Sequence, residues 1–148
     1  MANILVLHGP NLNLLGEREP EFYGNLSLAE IDRRIIAMGN KLGFTIRTYQ
    51  SNSEGALIDA LHEARQWANG IIFNPGGYTH TSVALHDAIL AIKLPVVEVH
   101  LSNPQAREDF RQRSLIAPVC IGTIAGFGWK SYELAIYALQ WYINNKNE

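Results

Sequence analysis

Short apolar runs alternate along the chain with longer stretches in which apolar residues recur every three or four positions. The runs are brief and rich in β-branched residues, which is typical of strands that are buried on both faces. Five such strands are predicted, at residues 4–7, 45–49, 71–73, 96–101 and 119–124.

The stretches between and after the strands predict five helices. Capping boxes open the first two, and an Asn-Pro pair gives the fourth a favourable N-cap and first turn. The helices are predicted from Ser27 to residue 42, from a capping box of Ser51 and Glu54 to residue 67, from Thr81 or Ser82 to residue 92, from Asn103 to about residue 113, and from about Ser131 to residue 143.

This alternation of strands and helices requires a parallel sheet with helices on both faces. Five strands are too few for the eight-stranded barrel. We therefore predict one domain over residues 1–148, an α/β fold with a flavodoxin-like, three-layer, doubly wound five-stranded parallel sheet of strand order 2-1-3-4-5. Its ligand crevice is expected beside the carboxyl end of the first strand, facing the third.

Polar residues gather where this topology places the crevice. The first strand leads into His8 and Asn11, the third ends at Asn74, and the fourth ends at His100. The first strand also opens the segment over residues 4–24, whose asparagines and charges follow a buried run. We interpret Asn11, Arg18 and Tyr23 as site residues in a loop that closes over a ligand.

The composition of the chain argues against several classes of function. The chain is 47% hydrophobic and 18% charged, as in an ordinary globular protein, and its net charge of −2 argues against a nucleic-acid partner. The apolar runs are too short for a membrane span, and no signal-peptide pattern opens the chain. The single cysteine, Cys120, allows no intrachain disulfide or cysteine-based zinc site, and its apolar surroundings are typical of a buried, inert thiol. We expect a cytoplasmic protein without a structural metal.

Tyr23 and Arg18 lie five residues apart in the same segment. A free phenol has a pKa of about 10, so a tyrosine acts as a base at neutral pH only where its phenolate is stabilised. Arg18 can supply the positive charge. A half-buried core tyrosine and a loop arginine paired with Glu17, Glu19 or Glu21 fit the residues equally well.

Glu98 and His100 are two positions apart in the fourth strand, so both side chains point to one face. A carboxylate in a central strand is costly unless it is paired or hydrogen-bonded. A bond to one nitrogen of His100 satisfies it and leaves the other nitrogen for a substrate. We favour this interpretation over a purely structural pair.

For the remaining candidate site residues, the sequence gives weaker support. Asn74 suits a turn, His80 lies near a helix start, and Arg111 suits a helix surface. Leu101 and Ser102 lead into the predicted fourth helix, whose N-terminal amides suit an anion such as a carboxylate. The spacing of the histidines does not match a helical metal pair, so no metal is predicted.

Several familiar motifs are absent from the sequence. There is no nucleotide-phosphate loop, no nucleophile elbow, and no acidic pair at the end of the first strand that a phospho-acceptor domain requires. No lysine lies inside a strand end, which disfavours an imine mechanism. A non-catalytic flavodoxin-like binding module and a lysine-imine enzyme remain as alternatives.

Four long motifs resemble the type II 3-dehydroquinate dehydratases, in order and in register from residue 4 to the last helix: GPNLNLLGEREPEFYG, QSNSEGALIDALHEA, NPGGYTHTSVALHDAI and VVEVHLSNPQAREDFR. The resemblance implies a hydro-lyase without cofactor, metal or imine. It would act in the shikimate pathway of aromatic amino acid biosynthesis, eliminating water from 3-dehydroquinate in the anti sense and reversibly, through an enolate, to give 3-dehydroshikimate.

The resemblance also implies catalytic roles. Tyr23 would remove the proton next to the ketone and Arg18 would activate it. His100, oriented by Glu98, would protonate the departing hydroxyl, and Asn11 would help to stabilise the enolate through an ordered water.

The family likeness further implies a set of substrate contacts and an assembly. The residues that match the contacts to the substrate hydroxyls and carboxylate are Asn74, His80, Arg111 and the amides of Leu101 and Ser102, with Asp87 contributed across a subunit contact. Trimers packed into a homododecamer are expected. Gly77 and His86 depart from the family pattern, where alanine and arginine are commoner.

Overall fold

The computed structural model describes residues 2–145, in which five parallel strands form one sheet of order β2-β1-β3-β4-β5. The strands are β1 (Ala2–His8), β2 (Phe44–Gln50), β3 (Gly70–Asn74), β4 (Val96–His100) and β5 (Gly122–Ala125). The predicted fold class and strand order are confirmed.

The α-helices of the described residues are α1 (Pro20–Tyr23, a single turn), α2 (Leu28–Lys41), α3 (Glu54–Ala64), α4 (Val83–Ile92) and α5 (Lys130–Asn145). Helices α2 and α5 bury apolar residues against one face of the sheet, and α3 and α4 against the other. Alternate residues of β1, such as Val6 and Leu7, enter the two opposite cores, as the pleat of a strand requires. None of the helices between residues 2 and 145 has the length and apolar character to cross a membrane.

One of the two predicted helix caps differs from the structure. Ser27 caps α2 through a bond from the Glu30 amide, as predicted, but α3 is capped by Ser53, whose hydroxyl accepts from the Ala56 amide. The Ser51 hydroxyl instead accepts from the Ser53 amide, so it forms a local turn before the helix. The prediction of a Ser51 cap was therefore wrong by two residues.

The predicted fourth helix is wrong. Asn103 does cap a first turn, accepting from the Gln105 amide, but that turn is a 3-10 turn over Pro104–Ala106 and ends at Arg107, whose backbone is extended. A second 3-10 turn covers Asp109–Arg111. The segment lacks an apolar stripe, and Phe110 is 63% exposed, so nothing on it packs against the sheet to propagate a helix.

The fifth strand begins later than predicted. Residues Ala117–Val119 form a 3-10 turn, and pairing with β4 starts where Gly122 lies opposite Val97. Pro118 lies within this turn and has no amide hydrogen to contribute to a ladder.

The carboxyl ends of three neighbouring strands meet at one edge of the sheet. His8 pairs in register with Asn74, and β4 ends beside them at His100. Gly9 continues from β1, and a Cβ there would lie 2.4 Å from the carbonyl oxygen of Pro75. The loops that follow β1 and β3 are therefore in direct backbone contact at the predicted crevice.

Candidate active site

A cavity of about 120 Å³ opens at this edge of the sheet, several times the volume that one water molecule needs. The segment that follows β1, residues 10–23, covers the cavity. The predicted site residues that line it are Asn11, Arg18, Tyr23, Asn74, His80, His100, Leu101, Ser102 and Arg111.

Glu98 and Asp87 do not line this cavity. Glu98 is buried directly behind His100, 1% exposed. Asp87 lies on α4 in a separate surface depression with Val83 and Arg113. Within one chain, Asp87 is thus not brought together with the other predicted residues.

The hydroxyl oxygen of Tyr23 receives hydrogen bonds from two arginines. Arg18 donates from Nη2 at 3.2 Å, and its guanidinium lies 4.3 Å from the centroid of the Tyr23 ring. Arg107 donates from Nη1 at 2.9 Å. Two positive groups directed at one phenol oxygen stabilise any negative charge that develops there. Arg18 also forms an ion pair with Glu19 at 3.1 Å. It therefore makes both of the contacts considered from the sequence, the one to Tyr23 and the one to a neighbouring glutamate.

Sequence reasoning missed Arg107. Its Nη1 also donates to Ser102 Oγ at 3.2 Å, and its guanidinium lies 4.4 Å from the centroid of the Phe22 ring. Its Nε is buried without a hydrogen-bond partner among residues 2–145, the nearest Glu108 carboxylate oxygen being 3.7 Å away. The only signal in the sequence was its place in a polar segment after a strand end that carries other site residues.

His100 and Glu98 are in direct contact. His100 Nε2 donates to Glu98 Oε2 at 2.5 Å, while His100 lines the cavity with a side chain that is 11% exposed. Nδ1 has no hydrogen-bond partner in the described part of the chain. When both ring nitrogens are protonated, Nδ1 carries a proton that can be given to a ligand.

Buried hydroxyl groups surround the Glu98 carboxylate. Thr79 Oγ1 donates to Oε2 at 2.9 Å, and Ser114 Oγ lies 2.9 Å from Oε1. Burial by itself raises the pKa of Glu98, but the hydrogen bond and charge of His100, with the hydroxyls of Thr79 and Ser114, more than offset this. The pKa of Glu98 is therefore below its ordinary value, and the carboxylate stays ionised behind His100.

Two further polar side chains of the cavity wall are held by local bonds. His80 Nδ1 donates to the carbonyl oxygen of Arg113 at 2.8 Å, which leaves Nε2 as an acceptor. Arg111 Nε donates to Glu108 at 2.9 Å, and the other guanidinium nitrogens are available to a ligand. Because the predicted fourth helix is absent from residues 103–113, no α-helix dipole acts at Leu101 and Ser102, which nevertheless line the cavity.

The two asparagines are held differently. Asn11 adopts a left-handed backbone conformation with φ of 68°, which asparagine tolerates better than most residues. Its backbone N–H donates to Oδ1 of Asn52. Its own side chain is exposed at the mouth of the cavity. The side chain of Asn74 is buried, donates to Tyr132 Oη at 3.1 Å and accepts from the Gly76 amide.

The described residues offer no clear place for a metal. No group of three or more His, Cys, Asp or Glu side chains between residues 2 and 145 could hold an ion. Cys120 is half-buried and lies ahead of β5, and burial, with the nearby charge of Glu98, raises the pKa of its thiol to about 12. A thiol of that kind is a poor nucleophile.

The cavity therefore combines a tyrosine oxygen between two arginines, a carboxylate-backed histidine, and a set of neutral hydrogen-bonding groups. A phenol oxygen that could act as a base and an imidazole that could act as an acid on one small cavity suit proton removal next to a carbonyl together with departure of a hydroxyl group. The arginines Arg18, Arg107 and Arg111 favour an anionic ligand, although Glu19 and Glu108 offset part of their charge.

Comparison with known proteins gives consistent matches. A family model described as dehydroquinase class II matches residues 2–140. A 3-dehydroquinate dehydratase from Rhizobium etli is 58% identical over 137 residues, which cover 93% of this chain and 94% of that protein. One from Bacillus licheniformis is 50% identical over 148 residues, covering 100% of each chain.

Solved structures agree with the sequence comparison. The crystal structure of the type II dehydroquinase from Butyrivibrio crossotus matches with a TM-score of 0.93 at 43% identity, covering 94% of this chain and 97% of that chain.

Proposed function

The chain belongs to the class II dehydroquinase family, and we propose that it catalyses the reversible dehydration of 3-dehydroquinate to 3-dehydroshikimate in the shikimate pathway. The observation that carries the proposal is the position of the Tyr23 oxygen, hydrogen-bonded by both Arg18 and Arg107 on the same cavity as His100.

In the proposed mechanism Tyr23, as the phenolate, removes the proton next to the ketone. The two arginines hold the negative charge on its oxygen before the transfer. The enolate that forms needs a hydrogen-bond donor at its oxygen, and we assign Asn11 to this role, acting through a water, because its side chain is exposed at the mouth of the cavity.

His100 then protonates the departing hydroxyl from Nδ1. Glu98 holds Nε2 and stabilises the imidazolium before the proton is given away. Hydroxide is a poor leaving group, so this step needs an acid that is positioned and charged. The base comes from α1 and the acid from the end of β4, which is consistent with proton removal and departure of the hydroxyl on opposite faces of the substrate ring.

We assign the remaining cavity residues to binding. Arg111 and the loop amides of Leu101 and Ser102 would hold the substrate carboxylate, since charge-assisted bonds from arginine are strong. His80 Nε2 accepts from a substrate hydroxyl, and Asn74 donates to another. The segment that carries Arg18 and Tyr23 serves as a lid that excludes water while the site is occupied.

The reaction needs no cofactor, metal or imine in this proposal, because the base, the acid and the charge stabilisation all come from side chains. By family likeness we propose a cytoplasmic single-domain enzyme of residues 1–148 that assembles as trimers within a homododecamer. Asp87, which lies outside the cavity of its own chain, would then reach the site of a neighbouring subunit.

The test is an assay of the purified protein with 3-dehydroquinate in chelator, following the ultraviolet absorbance of the conjugated enone product. We expect turnover that is insensitive to chelator and to borohydride, and its loss in Tyr23→Phe with the fold retained. Tyr49→Phe, an exposed tyrosine outside the cavity, is the matched control.

Three other outcomes would contradict the proposal. Near-normal turnover in Tyr23→Phe would mean that the base is misassigned. Inactivation by borohydride in the presence of substrate would indicate a lysine imine. A folded wild-type protein that gives no product, and that purifies yellow with a bound flavin, would be a flavodoxin-like binding module.

A further inference from the structure

A buried polar network lies behind Asn74, on the side away from the cavity. Tyr132, on α5, and His8, at the end of β1, are both fully buried. His8 Nδ1 lies 2.8 Å from Tyr132 Oη, and His8 Nε2 lies 2.8 Å from a carboxylate oxygen of Asp32 on α2. The network thus joins three elements of the fold to a residue of the cavity wall.

The direction of each hydrogen bond follows from the groups present. Burial raises the pKa of Tyr132 well above its ordinary value, so the phenol keeps its proton. His8 presents an N–H to the Asp32 carboxylate from Nε2, which leaves Nδ1 as the acceptor for the Tyr132 hydroxyl. A lone pair of the Tyr132 oxygen remains for the Nδ2 group of Asn74.

The orientation of the Asn74 amide is then fixed from both ends. Its Oδ1 accepts from the Gly76 amide at 3.1 Å, and one hydrogen of Nδ2 goes to Tyr132. The second hydrogen of Nδ2 has no acceptor among residues 2–145, and Asn74 lines the cavity. A substrate hydroxyl is the partner that it lacks.

We propose that Tyr132 and His8 are positioning residues, which hold the Asn74 amide so that its second N–H is presented to the substrate. The inference rests on the proposed function and assigns residues that touch no ligand. Packing alone does not account for the network, because a phenylalanine fills the same space as Tyr132. A buried imidazole and hydroxyl, by contrast, cost free energy unless every polar atom is bonded.

The first test is the kinetics of Tyr132→Phe with 3-dehydroquinate. Without its acceptor, Asn74 Nδ2 is held only through the bond of Oδ1 to Gly76, so its second N–H is poorly directed. A bond to the substrate made equally in the ground state and the transition state is then lost. We expect KM to rise about tenfold, in line with one hydrogen bond, and kcat to stay within about twofold of wild type. A variant that is only less well folded would show the reverse, a lower kcat at unchanged KM.

A double-mutant cycle shows whether the effect passes through Asn74. Asn74→Ala should raise KM by itself, and adding Tyr132→Phe to it should raise KM no further. Independent, multiplying effects of the two changes would overturn the proposal. Tyr137→Phe, a half-exposed tyrosine on the same helix, is the control and should leave both constants unchanged.

A pair of changes at His8 gives an independent answer, also if Tyr132→Phe does not fold. Asparagine places an amide oxygen at the same number of bonds from Cβ as Nδ1, so His8→Asn keeps an acceptor for Tyr132. We expect near-normal KM in His8→Asn and a raised KM in His8→Leu. Equal KM values in the two variants would contradict the inference, whereas failure of the wild type to turn over 3-dehydroquinate would instead contradict the proposed function.

Discussion

Replacing Arg107 tests the part of the site that sequence reasoning did not find. Arg107→Gln removes the positive charge and the 2.9 Å hydrogen bond to the Tyr23 oxygen, while keeping a shorter polar side chain. The Arg107 side chain is only 9% exposed, so water does not readily replace it. Arg18 remains, at 3.2 Å from the same oxygen.

The size of the effect follows from the kind of bond that is lost. A hydrogen bond to a charged group contributes about 1.5–3 kcal/mol, which corresponds to a loss of about 10- to 150-fold in rate. Because the bond supports the proposed base, we expect kcat to fall by this amount. The loss should stay smaller than in Tyr23→Phe, because Arg18 still stabilises the base.

The assay is steady-state turnover of 3-dehydroquinate, with the fold checked by circular dichroism. Arg65→Gln changes an exposed arginine far from the cavity and should behave as wild type. A kcat for Arg107→Gln within about twofold of wild type would show that Arg18 alone supports Tyr23, and the role given to Arg107 would be wrong.

Two further predictions concern stability. The lowered pKa of Glu98 stabilises the fold above the ordinary glutamate pKa of 4.5, and this contribution is lost as pH falls through the folded-state value, so Glu98→Gln should flatten the acid limb of a melting-temperature profile. Parallel profiles for the two proteins would contradict this. At Gly9 a Cβ would overlap the Pro75 carbonyl oxygen, so Gly9→Ala should lower the free energy of unfolding by at least about 2 kcal/mol. At Gly77 a Cβ meets nothing within 4 Å, so Gly77→Ala should raise it by about 0.4–1 kcal/mol. Urea unfolding measures the free energy of unfolding of Gly9→Ala and Gly77→Ala. If both changes shifted it in the same direction, the comparison would be refuted.

The parts of the site that could be predicted are those that depend on strand ends. The carboxyl ends of β1, β3 and β4 converge in any sheet of this order, so Asn74 and His100 had to lie near Asn11. The contact between Glu98 and His100 followed from their spacing of two within a strand. Neither inference required knowledge of a contact between distant side chains.

The parts that could not be predicted depend on such contacts. Arg107 reaches Tyr23 across 84 positions of sequence, and Tyr132 reaches His8 across 124. The predicted fourth helix had correct start signals at Asn103 and Pro104, but a cap decides where a helix can begin, whereas packing decides whether it continues. Its absence leaves the backbone of Arg107 extended, and the side chain of this residue reaches Tyr23.

Tyr23 and one of the two arginines that bind its oxygen come from different segments, and this limits when Tyr23 can act as the proposed base. Tyr23 and Arg18 belong to the segment that covers the cavity, whereas Arg107 belongs to the loop after β4. If the covering segment moves away, Tyr23 loses the bond from Arg107, and water weakens the remaining interaction with Arg18. In the proposed mechanism both arginines therefore bind the Tyr23 oxygen only while the segment lies over the cavity. In that mechanism proton removal is confined to the state that excludes water, which accounts for a base on the covering segment and not on a strand of the sheet.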